Sequence, residues 1–212
     1  MVKNKTALSV FSALIVLAFF SVGAHAAGDP EAGQMKAAAC GGCHGDDGNS
    51  PAATFPRLAG QYENYIVKQV MDFQRAKRTN NATMAAMAGM VATVQDAKDI
   101  GSYFASKKMK GQLTPTNKSL AAQGEKLFLN GNPRTGVYGC VNCHGKRGKG
   151  KSKTNSVFPR IGGQHRDYII KELQDFRAGE RSNDPGGMMS DIAKKLSDDE
   201  IHAVAEYLST LL

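Results

Sequence analysis

What this chain lacks narrows its chemistry before any motif is read. It has no cysteine to spare: all four, Cys40, Cys43, Cys140 and Cys143, fall within two Cys-x-x-Cys-His runs. With those thiols in use, the disulfide framework that usually staples small exported domains is excluded. No apolar run after residues 7–23 is long enough to span a bilayer. No convincing strands flank the Cys-x-x-Cys pairs, as a thioredoxin-like site would require. Nor does a separate acid–base constellation stand out, which weighs against hydrolytic or group-transfer catalysis.

What is present is concentrated in Cys40-Gly41-Gly42-Cys43-His44 and Cys140-Val141-Asn142-Cys143-His144. This spacing is the attachment signature of c-type haem: two thiols add across the vinyl groups, and the adjacent histidine becomes an axial iron ligand. A structural zinc site would need the two pairs close in sequence, whereas here they lie 100 residues apart. The reading is two covalently bound haems, and so chemistry that moves electrons. With the thiols committed, the haems must supply both cross-links and buried apolar surface. Halves of about ninety residues are small for a self-sufficient core, so the apoprotein is expected to fold poorly.

The N-terminus carries Lys3 and Lys5, an apolar stretch from Ala7 to Gly23, and small residues in Ala24-His25-Ala26. That is the layout of a secretory signal peptide cut before Ala27, predicting a soluble, periplasmic mature protein. Residues 27–212 hold 25 Lys and Arg against 19 Asp and Glu, and the excess leans to the second half, notably the Lys146–Lys153 run. That run reads either as a solvated glycine-rich loop or as a patch steering towards an acidic redox partner or a membrane surface. Nucleic acid is not an expected partner for an exported haem protein.

An internal repeat organises the mature chain. Phe55-Pro56-Arg57 recurs as Phe158-Pro159-Arg160, and Gly60-Gln61 as Gly163-Gln164. Tyr65-Ile66-Val67-Lys68 recurs as Tyr168-Ile169-Ile170-Lys171, and Arg78-Thr79-Asn80 as Arg181-Ser182-Asn183. The division expected is a leader over 1–26, one domain over 27–110, a linker over 111–118 and a second domain over 119–212. Each copy reads as three or four helices. Tyr62, Ile66, Val70 and Phe73 share one helical face, as do Ile201, Val204, Ala205, Leu208 and Leu211. Helices around 31–39 and 120–129 should precede the haem motifs, and Ser197 with Glu200 forms a capping box.

Taken together, the paired haem motifs, both Phe-Pro-Arg-x-x-Gly-Gln runs and the closing Leu-Ser-Asp-Asp-Glu-Ile segment resemble the cytochromes c4, exported dihaem electron carriers of bacteria. The resemblance covers the chain from about Ala27 onward. It implies an all-α fold of two tandem class I cytochrome c domains with His/Met ligation, His44 and His144 supplying the histidines. A ligating histidine usually donates its other ring N–H to a carbonyl or carboxylate, and the Pro56 and Pro159 carbonyls are the candidates. In the second copy Met188 and Met189 both qualify as the sixth ligand, and family spacing favours Met189. In the first, Met84, Met87 and Met90 form a helical stripe. Counting from Arg78 by analogy with Arg181 favours Met87, although Val94-Gln95 replaces the usual Leu-Ser. Arg57 and Arg160 are candidate partners for haem propionates; His165 is expected near the contact between halves, and His202 on the surface.

The function expected is a monomeric, non-enzymatic carrier between a respiratory donor, either a quinol-oxidising complex or a dehydrogenase, and a terminal oxidase, with peripheral membrane association open. The alternatives are the cytochrome subunit of a dehydrogenase, or a dihaem peroxidase or thiosulfate-oxidising enzyme. Those enzymes need an open coordination position, which a methionine would close.

Overall fold

The computed structural model describes residues 27–112, 114–151 and 156–212. The expected leader therefore lies outside the described residues. The first half contains α1 (Pro30–Lys36), α2 (Ala38–His44), α3 (Glu63–Gln74), α4 (Ala82–Gly89) and α5 (Val94–Ala105). The second contains α6 (Lys118–Asn130), α7 (Val141–His144), α8 (Arg166–Ala178), α9 (Met188–Ala193) and α10 (Asp198–Ser209). Among the described residues the only extended pairing is a single bridge between Asn132 and Val137. None of their helices is long and apolar enough to cross a membrane.

Five helices per half exceed the three or four expected. The helix anticipated over 31–39 breaks at Ala37, so that the first haem motif rides on a separate helix, α2. A helix as short as α9 covers less than two turns, too little for an apolar period to declare itself, whereas α4 carries the expected methionine stripe. The capping box that the sequence announced is present: Ser197 and Glu200 cap α10 reciprocally. The helix expected over 120–129 is α6, which begins at Lys118, two residues earlier, because Asn117 caps it. The Val94-Gln95 departure costs α5 nothing, because Thr93, two residues before Gln95, forms a capping box with Asp96.

Two apolar cores result. Ile66, Val70 and Phe73 of α3 meet Ala97, Ile100 and Phe104 of α5; Leu127 and Phe128 of α6 meet Ile201, Val204 and Leu208 of α10. In both halves the first helix crosses the last, α1 on α5 and α6 on α10. Glycine makes the crossings possible: a Cβ on Gly124 would stand 1.9 Å from the Ala203 carbonyl oxygen, and one on Gly33 2.0 Å from that of Asp99.

The segment between the halves is fastened at several points. Asn49 donates to the Lys108 carbonyl, Met109 is buried, and the Glu206 carboxylate accepts from the Thr116 and Asn117 N–H groups. The halves then meet through their repeated residues. Gln164 accepts from Arg57 N–H at 2.8 Å and donates to the Arg57 carbonyl at 2.9 Å. Gln61 does the same with Arg160, at 3.1 and 2.8 Å. This reciprocity is that of an isologous, two-fold contact built within one chain.

Two expectations follow. Gly124→Ala should lower the unfolding free energy of the holoprotein by about 1–3 kcal/mol. Gly89→Ala, where nothing lies within 4 Å of the new methyl, should be neutral or stabilising by up to ~1 kcal/mol; guanidinium denaturation compares them. The second concerns acid. Hydrogen bonding from Lys36, then from the Asp29 N–H, holds the Asp99 carboxyl down at about 2, against 3.8 ordinarily. A carboxyl lowered on folding stabilises fully above its unfolded value and loses that contribution as pH falls through its folded one. The stability gap between wild type and Asp99→Asn should therefore be constant above pH ~4 and close as pH approaches ~2. A gap that persists at the acid end would count against this pairing.

Candidate functional site

The cysteines and histidines of the two motifs sit on short helices ended by glycine, save Cys140, which is the N-cap of α7. The chain leaves His44 through Gly45 at φ 78° and His144 through Gly145 at φ 70°, in the left-handed region that glycine enters freely. Each turn carries the chain back past its histidine. His44 Nδ1 lies 2.8 Å from the Pro56 carbonyl oxygen, and His144 Nδ1 lies 3.0 Å from that of Pro159. The carbonyl accepts, so Nδ1 carries the proton and Nε2 is left with its lone pair. Burial pushes both imidazoles below their usual range, against the raising effect of the carbonyl. Each ring is thus a neutral, oriented donor of an electron pair.

Both rings face a continuous cavity of about 800 Å³ that runs between the halves. On the first side it is lined by Cys40, Cys43, His44, Met84 and Met87, with Phe55 and Phe73 among its apolar walls. On the second, Cys140, Cys143, His144, Met188 and Met189 line it, with Phe158 and Phe176. The structure therefore brings together every candidate ligand except Met90, which is 69% exposed and forms no part of the lining. Met84 also packs against the first apolar core. Met188 is exposed, whereas its neighbour Met189 is half-buried. Helix starts position the methionines: Asn81 accepts from the Met84 N–H, and Asp184 accepts from both the N–H and the hydroxyl of Ser190.

Burial pushes Cys140 up to about 11 and raises Cys40 as well, the opposite of an activated thiolate. Among the described residues no three His, Cys, Asp or Glu side chains converge as a zinc site would require. The walls instead suit a large flat apolar group with an acidic edge. Arg57 and Arg160 line the cavity, and the buried Nε of Arg160 has no hydrogen-bond partner. These residues fit haem in both halves.

Comparison with known proteins settles the family. A curated cytochrome c4 from Pseudomonas aeruginosa is 47% identical over 191 residues, covering 89% of this chain and 91% of the relative. The chain belongs to the cytochrome c4 family. The general cytochrome c family model matches residues 121–212. A crystal structure of reduced recombinant cytochrome c4 from Pseudomonas stutzeri superposes with a TM-score of 0.78 at 42% identity, covering 88% of this chain and 100% of that one. A thiosulfate dehydrogenase electron acceptor from Thiomonas intermedia is 36% identical over 176 residues, 82% of this chain and 79% of that one. The chain accordingly has a class I cytochrome c fold, two covalently bound haem c groups and an electron-transfer role.

Several residues treated in sequence only as markers of the repeat prove to join the halves. Gln61, Gln164, Asn80 and Asn183 all bond across the contact. Their signal was recurrence itself, since polar residues repeated at fixed spacing have no apolar period to explain them. His165 lies where expected, its Nε2 2.9 Å from the Ser50 carbonyl of the other half. His202 is half-buried rather than exposed and faces the Arg166 guanidinium. Arg57 also donates to the Gly163 carbonyl at 2.7 Å, so it serves the contact between halves as well as the cavity. Replacing Cys40 and Cys43 together with alanine should leave a product carrying one covalent haem, measured by intact mass and haem absorbance per chain.

Proposed function

We propose that the chain is a periplasmic, monomeric, non-enzymatic carrier with one haem in each of the domains 27–110 and 119–212. Cys40 and Cys43 would attach the first and Cys140 and Cys143 the second, with His44 and Met87, and His144 and Met189, as the residues that would hold the two irons. Bound haem supplies a one-electron ferric–ferrous couple at each site. The protein's part is to hold the ligands still. The proline carbonyls keep each imidazole oriented, α4 and α9 carry the methionines that would bind the irons, and apolar side chains wall the cavity. The observation that carries this reading is that each side of the cavity pairs a carbonyl-anchored histidine with methionine. Such a pair fills the coordination sphere and favours electron transfer over substrate chemistry.

The donor we propose is a respiratory quinol-oxidising complex or dehydrogenase, and the acceptor a terminal oxidase. A second donor, a thiosulfate-oxidising dehydrogenase, is favoured by the likeness to the Thiomonas intermedia electron acceptor. In either case the chain receives and passes on electrons without transforming a substrate. Its excess of basic residues suits an acidic docking partner or peripheral contact with an anionic membrane, and delivery should slow as salt is raised.

The test is ligand-sensitive spectroscopy of the ferric holoprotein. Both haems should be low-spin and show a long-wavelength iron–methionine charge-transfer band. Met87→Ala and Met189→Ala should each remove about half of that band, while Met84→Ala and Met90→Ala retain it; each loss should also lower one midpoint potential. A high-spin ferric haem in the wild type would sink the carrier reading. Loss of the band in Met84→Ala instead would move the first ligand to that residue.

A further inference from the structure

At the centre of the contact between halves lies a polar network that the carrier reading does not use. Arg78 and Arg181, equivalent in the repeat, are both buried and both bind one carboxylate. Arg78 Nη2 is 2.7 Å from Glu172 Oε1, and Arg181 Nη1 is 2.8 Å from Glu172 Oε2. Around them every group has its counterpart. Arg78 donates to the Tyr168 hydroxyl at 3.2 Å and Arg181 to that of Tyr65 at 3.1 Å. Asn80 donates to Asp175 and Asn183 to Asp72, and the two aspartates pair with Lys171 and Lys68 on their own helices.

One position breaks the symmetry. The counterpart of Glu172 is Gln69, whose Oε1 accepts from Arg78 at 2.9 Å and Arg181 at 3.2 Å. The lysine–aspartate pairs cancel, and two guanidiniums share one carboxylate. Burial would push Glu172 up, but Arg181 and Arg78 outweigh it and hold the group ionised. Tyr168 stays a neutral phenol, pushed up to about 12 by burial and then by Glu172. The network's side chains thus carry one net positive charge. Arg78, Arg181, Gln69 and Glu172 all line the cavity shared by both sites.

We infer that the Gln69–Glu172 pair tunes both haems together, by fixing the charge buried at the contact between halves and so raising the two midpoint potentials in step. This rests on the carrier reading. Taking up one electron from the donor lowers the charge of either iron centre by one unit, and a fixed positive surplus nearby favours that reduced form. Because the network is buried, salt screens it poorly.

The experiment is a redox titration of holoprotein, at low and high salt, for wild type, Gln69→Glu, Glu172→Gln and the double exchange. Gln69→Glu should lower both midpoints, and Glu172→Gln should raise both. The double exchange restores the charge count and should return both towards wild type. The shifts should persist in high salt. Midpoints that stay put, or a shift confined to one haem, would overturn the inference. Should Glu172→Gln fail to assemble, the direction found for Gln69→Glu decides. The charge-transfer band of each protein is recorded alongside. Unmoved midpoints with the band intact reject this inference alone, whereas a wild type lacking the band rejects the carrier reading.

Discussion

Much of this molecule depends on the hydrogen bond between a haem-motif histidine and a proline carbonyl. Pro56 and Pro159 have no N–H, but their carbonyls fix the imidazole rings at 2.8 and 3.0 Å. The residue after each proline does the rest. Arg57 and Arg160 use their backbone N–H and carbonyl groups to bind glutamines of the opposite half. One loop of three residues thus touches the histidine on one side and the neighbouring half on the other. Ligand orientation and domain contact cannot be set independently, because the same short stretch of backbone carries both.

The parts legible in the sequence were those with a strict chemical or geometric grammar. Cys-x-x-Cys-His is covalent chemistry written in five residues, and the proline carbonyl followed from what a ligating imidazole needs. Ser197 and Glu200 announced α10 because a capping box has fixed spacing. Thr93 and Asp96 announce α5 in the same way, but the family likeness placed the cap two residues too late, at Gln95. The short helices α2 and α9 were illegible because they span too few periods for an apolar face to show, whereas α4 showed only as its methionine stripe. The polar contact between halves was hidden for another reason. Arg78, Arg181 and Glu172 belong to residue types that are almost always exposed, and only their pairing partners, distant in sequence, permit burial.

The methionines show where sequence counting stops and packing begins. Met84, Met87 and Met90 share one helical stripe, on which counting alone favours Met87, and the fold gives each a different setting. Met90 closes α4 at the surface, Met84 leans on the apolar core, and Met87 lines the cavity without joining that core. A stripe of identical residues is resolved by what surrounds each one.

The pairing of Gln69 with Glu172 has a consequence for why such a protein is one chain. A dimer of identical subunits must place the same residue on both sides of its two-fold axis. Two glutamates there would neutralise both guanidiniums and leave no surplus, and two glutamines would leave both buried guanidiniums without a counter-charge. One acid beside one amide is out of reach of a strictly symmetric pair. Tandem joining of the two copies lifts that restriction, letting a nearly symmetric assembly hold an odd charge at its centre.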